Sequence, residues 1–413
     1  MNRDAVLMHP RFAGFAIDRG STDSEPKTKP MRIAHIGLKG FPARFGADRA
    51  AEAVIRRLSE RHEITVYCSS RHTSSDANIP RVRLVRIPSL AGKYTNMVSA
   101  DLLGACHAVC RGDYELIHLH NIEASFVLPI LKLRYPVVST ARGRHTIGNK
   151  WGRIALTIMR SMEVPYIFLS DIRTSVSQPD AKYFLNRFRK SVAWIPNGVG
   201  MAPEPDVESA TKLLSSYHQP ESGYILFAAG RIIPKKGAHV LLESFRKVRT
   251  DLRLIIVGDL SHLQRYAAEL LTLADSRVTF ITFESSLATL LGLVKRSRLF
   301  VFPSIYEGMS NMLLEAASIG TPVVCSDIPA NTGVLPQRAL FFSSENTLDL
   351  AAKLDWAINH PEEMRTLGFA ARNWVLEKFS WTKIAEAYEQ LYKDLNNRRQ
   401  AAGRNCPETI YYA

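Results

Sequence analysis

RLFVFPSIYEGMSNMLLEAASIGTPVVCS, residues 298–326, reads as one strand–helix–strand unit. The apolar run RLFVFP ends as a strand at Pro303. A helix begins near Ser310 or Asn311, either of which can cap it, and TPVVCS (321–326) makes the next strand. From Gly308 to Ser326 the segment carries a single charged residue, Glu315, while Glu307 stands just before the glycine. The same alternation runs along the chain. RIAHIG (32–37), ITVYC (64–68), VRLVRI (82–87), ELIHLH (115–120) and VVST (137–140) read as strands, with helices expected over 48–58 and 97–110. The series restarts at YILFAAG (224–230), LRLIIVG (252–258) and VTFITF (278–283). The pattern predicts an α/β fold of two Rossmann-like domains, each an open parallel sheet. The sheets are expected to face each other across a central cleft, with ligands at the carboxyl ends of the strands.

The expected boundaries follow from composition. Residues 1–30, ending in STDSEPKTKP and lacking a signal-peptide apolar core, read as a flexible extension. The first domain is expected over 31–198 and the second over 223–378. The stretch 199–222, rich in Pro, Ser and acidic residues, reads as a linker. A last helix over 379–396, with no strand after it, precedes a flexible tail at 397–413.

With 46 % hydrophobic and 22 % charged residues, the composition is that of a globular domain rather than a disordered or membrane chain. Five cysteines without metal-like spacing argue for a reducing compartment, and Cys106 and Cys110 read as buried small hydrophobes. Charge is unevenly spread. Residues 1–200 hold 30 Lys/Arg against 16 Asp/Glu, whereas the rest hold 23 of each sign. The first half therefore suits an acidic partner. Nucleic acid is the weakest choice, because no aromatic–basic stacking pattern accompanies the charge.

Two segments carry chemistry. Backbone N–H groups from Met309 to Met312 open the helix after RLFVFP and can bind an anion, aided by the helix dipole. Gly308 permits close approach, and Glu315 lies about one turn in, so its carboxylate should lean toward whatever the loop binds. A buried carboxylate needs hydrogen-bond donors, which sugar hydroxyls would supply; a distant arginine or water would serve equally on this segment alone. AGRIIPKKGAHVLLESF (229–245) then places Arg231 and Lys236 after the first strand of the second domain, on the same sheet edge, where two cations can clamp a diphosphate.

GRIIPKKG followed by LLESF, VGDL at 257–260 and PSIYEGMSNMLLEAASIGTPVVCSD at 303–327 together resemble family 4 retaining glycosyltransferases of bacterial polysaccharide biosynthesis, which have the GT-B fold. Glu307 and Glu315 match that family's E-x7-E pattern. IAHIGLKGFPARFGADRAAEAV (33–54), DYELIHLHN (113–121), TSVSQ (174–178) and IPNGV (195–199) agree in order, so the resemblance covers roughly 31–395. It implies a catalytic set of His120, Glu307, Arg231 and Lys236. Donor contacts are implied for Gly46, Arg231, Lys236, Phe283, Glu307, Gly308, Met309, Ser310, Asn311, Met312 and Glu315. In these roles Arg231 and Lys236 hold the diphosphate, Glu315 the ribose and Glu307 the transferred sugar. His118 shares a strand face with His120 and is the alternative histidine. Three departures stand out: Ala47 follows Gly46 where the family has a second glycine, Arg142 in STARGRH replaces a common histidine, and Gly200 replaces an aspartate. Arg142 and Asn197 are therefore candidates for acceptor or hinge contacts.

The expectation is a retaining hexosyltransferase using a nucleotide diphosphate sugar (UDP- or GDP-sugar) and a saccharide or polyprenyl-diphosphate-linked acceptor. The basic first domain is expected to take the acceptor at an anionic membrane surface on the cytoplasmic face, and the last helix to return to that domain. No Asp-x-Asp pair occurs, so neither metal nor other cofactor is expected. Nucleotide-sugar epimerisation on the same fold, or silent nucleotide-sugar binding, are the alternatives.

Overall fold

The computed structural model describes residues 29–43, 46–92, 95–144, 153–200, 203–282 and 286–404. Most of the expected N-terminal extension, the end of the tail and Phe283 lie outside them. The chain divides into two compact units. The first runs to Pro196 and takes up again at Thr382; the second spans Asn197–Trp381.

The first unit is built on seven strands: β1 (Arg32–Leu38), β2 (Glu63–Ser69), β3 (Val82–Ile87), β4 (Leu116–His120), β5 (Val137–Ala141), β6 (Ile172–Ser175) and β7 (Ala193–Trp194). They lie in the order β3-β2-β1-β4-β5-β6-β7, every neighbouring pair parallel. β4 and β5 are buried along their whole length, as a parallel sheet covered on both faces requires. The second unit has six: β8 (Ile225–Arg231), β9 (Leu254–Asp259), β10 (Val278–Ile281), β11 (Leu299–Phe302), β12 (Val323–Ser326) and β13 (Leu340–Phe342). Their order is β10-β9-β8-β11-β12-β13, again parallel throughout.

Strand order reverses between β1 and β4 in one sheet and between β8 and β11 in the other, the position where open α/β sheets bind ligands. Each reversal is held open by a glycine. At Gly37 (φ +92°) a Cβ would lie 2.2 Å from the His120 carbonyl oxygen, and at Gly237 (φ +72°) it would lie 1.9 Å from that of Pro303. No side chain fits at either place, and both dihedrals favour glycine.

Several expectations are corrected. The stretch 199–222 is not a plain linker, because it contains a helix, Val207–Ser216, with Ala210 and Leu214 fully buried. Asp206 caps it by accepting from the Ser209 N–H at 2.9 Å. A Pro- and Ser-rich composition hid an apolar pair one helical turn apart. The last helix runs over Trp381–Arg404, past the expected start of the tail, since the Arg, Gln and Ala that follow Asn396–Asn397 are adequate helix formers. Its Ile384, Ala385, Tyr388 and Tyr392 are buried in the first unit. Glu389 on the same helix accepts from Arg61 at 2.9 Å and Lys393 at 2.8 Å. Cys106 and Cys110 are exposed rather than buried: they lie on the outer face of helix Thr95–Arg111, whose inner face is Ala100, Gly104, Ala105 and Ala108.

Candidate functional site

In the second unit the chain leaves β8 at Arg231, which pairs in register with Asp259 of β9. It then makes a single 3-10 turn, Pro234–Lys236, ended by Gly237. The loop after β11 runs beside it, with the Ile305 N–H donating to the Lys235 carbonyl at 2.9 Å. Across this seam Lys236 Nζ donates to Glu307 Oε1 at 2.5 Å, and Ser304 Oγ donates to the same oxygen at 2.8 Å. Ser304 is itself fixed, because its carbonyl accepts from Ser326 Oγ, and Asn331 Nδ2 donates to Ser326. Lys235 faces the Tyr306 ring, and burial followed by the neighbouring Lys236 charge pushes its ammonium below the usual lysine range.

Ser310 caps helix Asn311–Ile319, accepting from the Leu313 N–H at 3.3 Å. The helix cap thus stands two residues after Gly308, where the loop carrying Glu307 ends. Glu315 is buried one turn further in. Met309 is held from the other side: Asn197 Nδ2 donates to its carbonyl at 3.2 Å, and the Asn197 N–H contacts its sulfur at 3.0 Å. The expected donor residues other than Gly46 and Phe283 thus fall at one sheet reversal, and Asn197 joins them. Phe283 lies outside the described residues.

In the first unit His120 ends β4 and is fully buried. His118 and His120 do share a face, their rings stacked at 4.1 Å. His35 of β1 completes a trio, its Nδ1 2.9 Å from His120 Nε2. His118 is bound on both nitrogens, to Tyr392 and Thr140, each at 2.6 Å. Arg142, half-buried after β5, donates from Nη2 to His120 Nδ1 at 3.2 Å. Burial pushes all three imidazoles down, His35 to about 3. Burial also raises Asp48 to about 6, against the lowering influence of Arg142 and Lys39. Gly46 opens helix Gly46–Leu58.

Three histidine nitrogens within 4.8 Å would suit a transition metal by residue type. Both nitrogens of His118 and both of His120 are instead taken by hydrogen bonds, and the guanidinium on His120 repels a cation. The trio fits a hydrogen-bonded network. His35, Thr140, Tyr388 and Tyr392 were not singled out from the sequence, and no spacing rule links the last helix to β4. The one available signal was His35, a histidine in an otherwise apolar strand.

Two family profiles match the chain: "Glycosyltransferase Family 4" over residues 46–202 and "Glycosyl transferases group 1" over residues 211–374. The chain is similar to an MMP alpha-(1->4)-mannosyltransferase of Mycolicibacterium hassiacum, 24 % identical over 68 % of this chain and 71 % of that protein. It is also similar to the UDP-Gal:alpha-D-GlcNAc-diphosphoundecaprenol alpha-1,3-galactosyltransferase of Escherichia coli, 21 % identical over 88 % of this chain and 97 % of that protein. Among solved structures, the sucrose-phosphate synthase of Thermosynechococcus elongatus superposes with a TM-score of 0.71 at 19 % identity, covering 88 % of this chain and 99 % of that one.

Proposed function

Because the chain belongs to family 4 of the glycosyltransferases, we propose that it transfers a hexose from a UDP- or GDP-sugar to a saccharide or polyprenyl-diphosphate-linked acceptor, with retention of configuration, in surface polysaccharide assembly. The observation that carries this reading is the seam of Lys236, Glu307 and Ser304 beside the N-terminus of helix Asn311–Ile319. A diphosphate there meets Lys236, Arg231 and the amides of the first turn. As the sugar leaves, negative charge grows on the diphosphate, and these fixed donors stabilise it without reorganising. A metal is not required for that task, because the protein supplies the cations. Glu315 accepts from ribose hydroxyls and Glu307 from those of the transferred sugar. His120, the catalytic histidine of this reading, and Gly46, a donor contact in it, belong to the first unit. The similar Escherichia coli protein, named for a UDP-sugar donor and a diphosphoundecaprenol acceptor, supports the substrate classes.

The first unit also suits an anionic membrane surface on the cytoplasmic face. Ile158, Val164 and Phe168 are exposed on two successive helices, Arg153–Ser161 and Glu163–Leu169. Arg160, Arg189 and Lys190 are exposed nearby in sequence, and Arg187 lies over the Phe188 ring at 5.3 Å. Each such cation is worth about 1 kcal/mol near anionic lipid. Among the described residues, no helix is long and apolar enough to cross a membrane.

The test is turnover of a nucleotide-sugar panel with and without a lipid-linked acceptor extract, with the product anomer read by NMR. Acceptor-dependent release of nucleoside diphosphate with retention is expected. An epimerised sugar without acceptor dependence would favour the epimerase, and no turnover with any donor would favour a silent binding protein.

A further inference from the structure

We infer that Arg142 fixes His120 as the neutral imidazole protonated at Nε2, and that His120 thereby fixes His35 in the same form, so that neither nitrogen of His120 is left to exchange a proton with a substrate. A guanidinium has donors only. His120 Nδ1, 3.2 Å from Arg142 Nη2, must therefore accept. A neutral imidazole with an accepting Nδ1 carries its hydrogen on Nε2. That N–H points at His35 Nδ1, 2.9 Å away, which must accept in its turn. The hydrogen of His35 is then on its own Nε2.

The His35 Nε2 is enclosed and has no hydrogen-bond partner among the described residues. An unpartnered buried donor is unfavourable, so some stronger constraint must hold the arrangement. Arg142 is that constraint. Reversing both rings would set the His120 Nδ1–H against the guanidinium N–H, two donors facing each other. Protonating His120 fully is opposed by burial, then by the charges of His118, Arg142 and His35 around it. These are the groups that face it from β1, β4 and the segment after β5. The carboxylate of Asp48 on helix Gly46–Leu58 favours the charged form of Arg142. The Nε of Arg142 is likewise enclosed without a partner among the described residues, whereas its Nη2 donates to His120.

Arg142 is thus a positioning residue for His120, in place of an acceptor contact. For the proposed transfer, and resting on that reading, His120 serves as a wall of fixed orientation and not as the base for an acceptor hydroxyl. The tautomer itself depends on no substrate.

The experiment is long-range 1H–15N correlation on protein labelled at histidine, with His35 and His120 assigned from the variants His35→Gln and His120→Gln. Both rings should show a protonated Nε2 and a bare Nδ1 in the wild type, unchanged from pH 5.5 to 8. In Arg142→Met, which keeps length and removes the donors, His120 should move to the Nδ1–H form or to an exchange average, with His35 following. A wild-type His120 protonated at Nδ1, or at both nitrogens, overturns the inference, as does an Arg142→Met spectrum identical to wild type. Should that variant fail to fold, the wild-type spectrum alone decides. Because no donor sugar is present, a failure of the transferase reading leaves this result standing, and the reverse also holds.

Discussion

Removing Glu307 should separate two functions that the free protein ties together. Lys236 and Glu307 meet at 2.5 Å, and at an effective dielectric near 20 two unit charges that close attract by roughly 6–7 kcal/mol. The side chains keep 21 % and 9 % of their exposure, so desolvation and screening offset most of this. A net value of about 1.5–3 kcal/mol, that of a hydrogen bond to a charged group, remains. A diphosphate arriving at Lys236 competes with that bond. In Glu307→Ala the competition is gone, so nucleoside diphosphate affinity should hold or rise, by up to roughly tenfold. The full nucleotide sugar should lose affinity or turnover, because its sugar hydroxyls lose an acceptor. Glu315→Ala should instead weaken both ligands by roughly ten- to a hundredfold, the same 1.5–3 kcal/mol seen from the ribose side. Calorimetry on both variants with UDP, GDP and the matching nucleotide sugars measures all of this. Equal loss of nucleoside diphosphate affinity in the two variants would refute the division of roles and make Glu307 a holder of Lys236 alone.

Turnover should survive EDTA, and its complete loss in EDTA with recovery on adding magnesium or manganese would contradict phosphate binding by Arg231 and Lys236. Liposome co-sedimentation should favour anionic over neutral lipid at low salt and weaken as salt rises, with Phe168→Ala reducing it; no lipid preference would remove the membrane from the account. Stability should fall with acid through the last helix. Burial raises Glu389, but Lys393, Arg61 and His62 outweigh it and hold the carboxyl below its usual range, so its contribution is present above about pH 4.5 and lost below. His62 is depressed mainly by burial, so it adds stability above pH 6.5 that is lost as it must charge. Thermal melts should therefore decline in two stages from pH 7 to 4, and Glu389→Gln should remove the lower one; a flat profile would show that the helix is held by its apolar face alone.

The GT-B architecture was legible because parallel strands buried on both faces appear as unbroken apolar runs: LIHLH and LFVF could be placed within a residue or two. The strands that escaped were IRTS, AW and LFF. They are too short or too polar to stand out, and Thr174 and Ser175 are buried by their neighbours rather than by their own hydrophobicity. The candidate donor residues of the second unit were readable because they lie within two continuous motifs at one sheet reversal. The histidine network was not, since His35, Thr140 and Tyr392 come from three distant segments and meet only when the last helix folds onto the first unit. Arg142 read as a departure from the family. Its partner on His120 gives that departure a physical purpose.

The central claim is that a nucleotide sugar is held in the second unit by Arg231, Lys236 and the helix N-terminus beyond Ser310. Thermal shift of the wild type and of Lys236→Ala against a panel of nucleoside diphosphates and nucleotide sugars tests it most directly. A ligand present at a hundred times its Kd adds about 2.7 kcal/mol to the folded state. One nucleotide family should raise the wild-type melting temperature, and Lys236→Ala should lose most of the rise. An equal rise in both proteins, or none with any nucleotide, would contradict it.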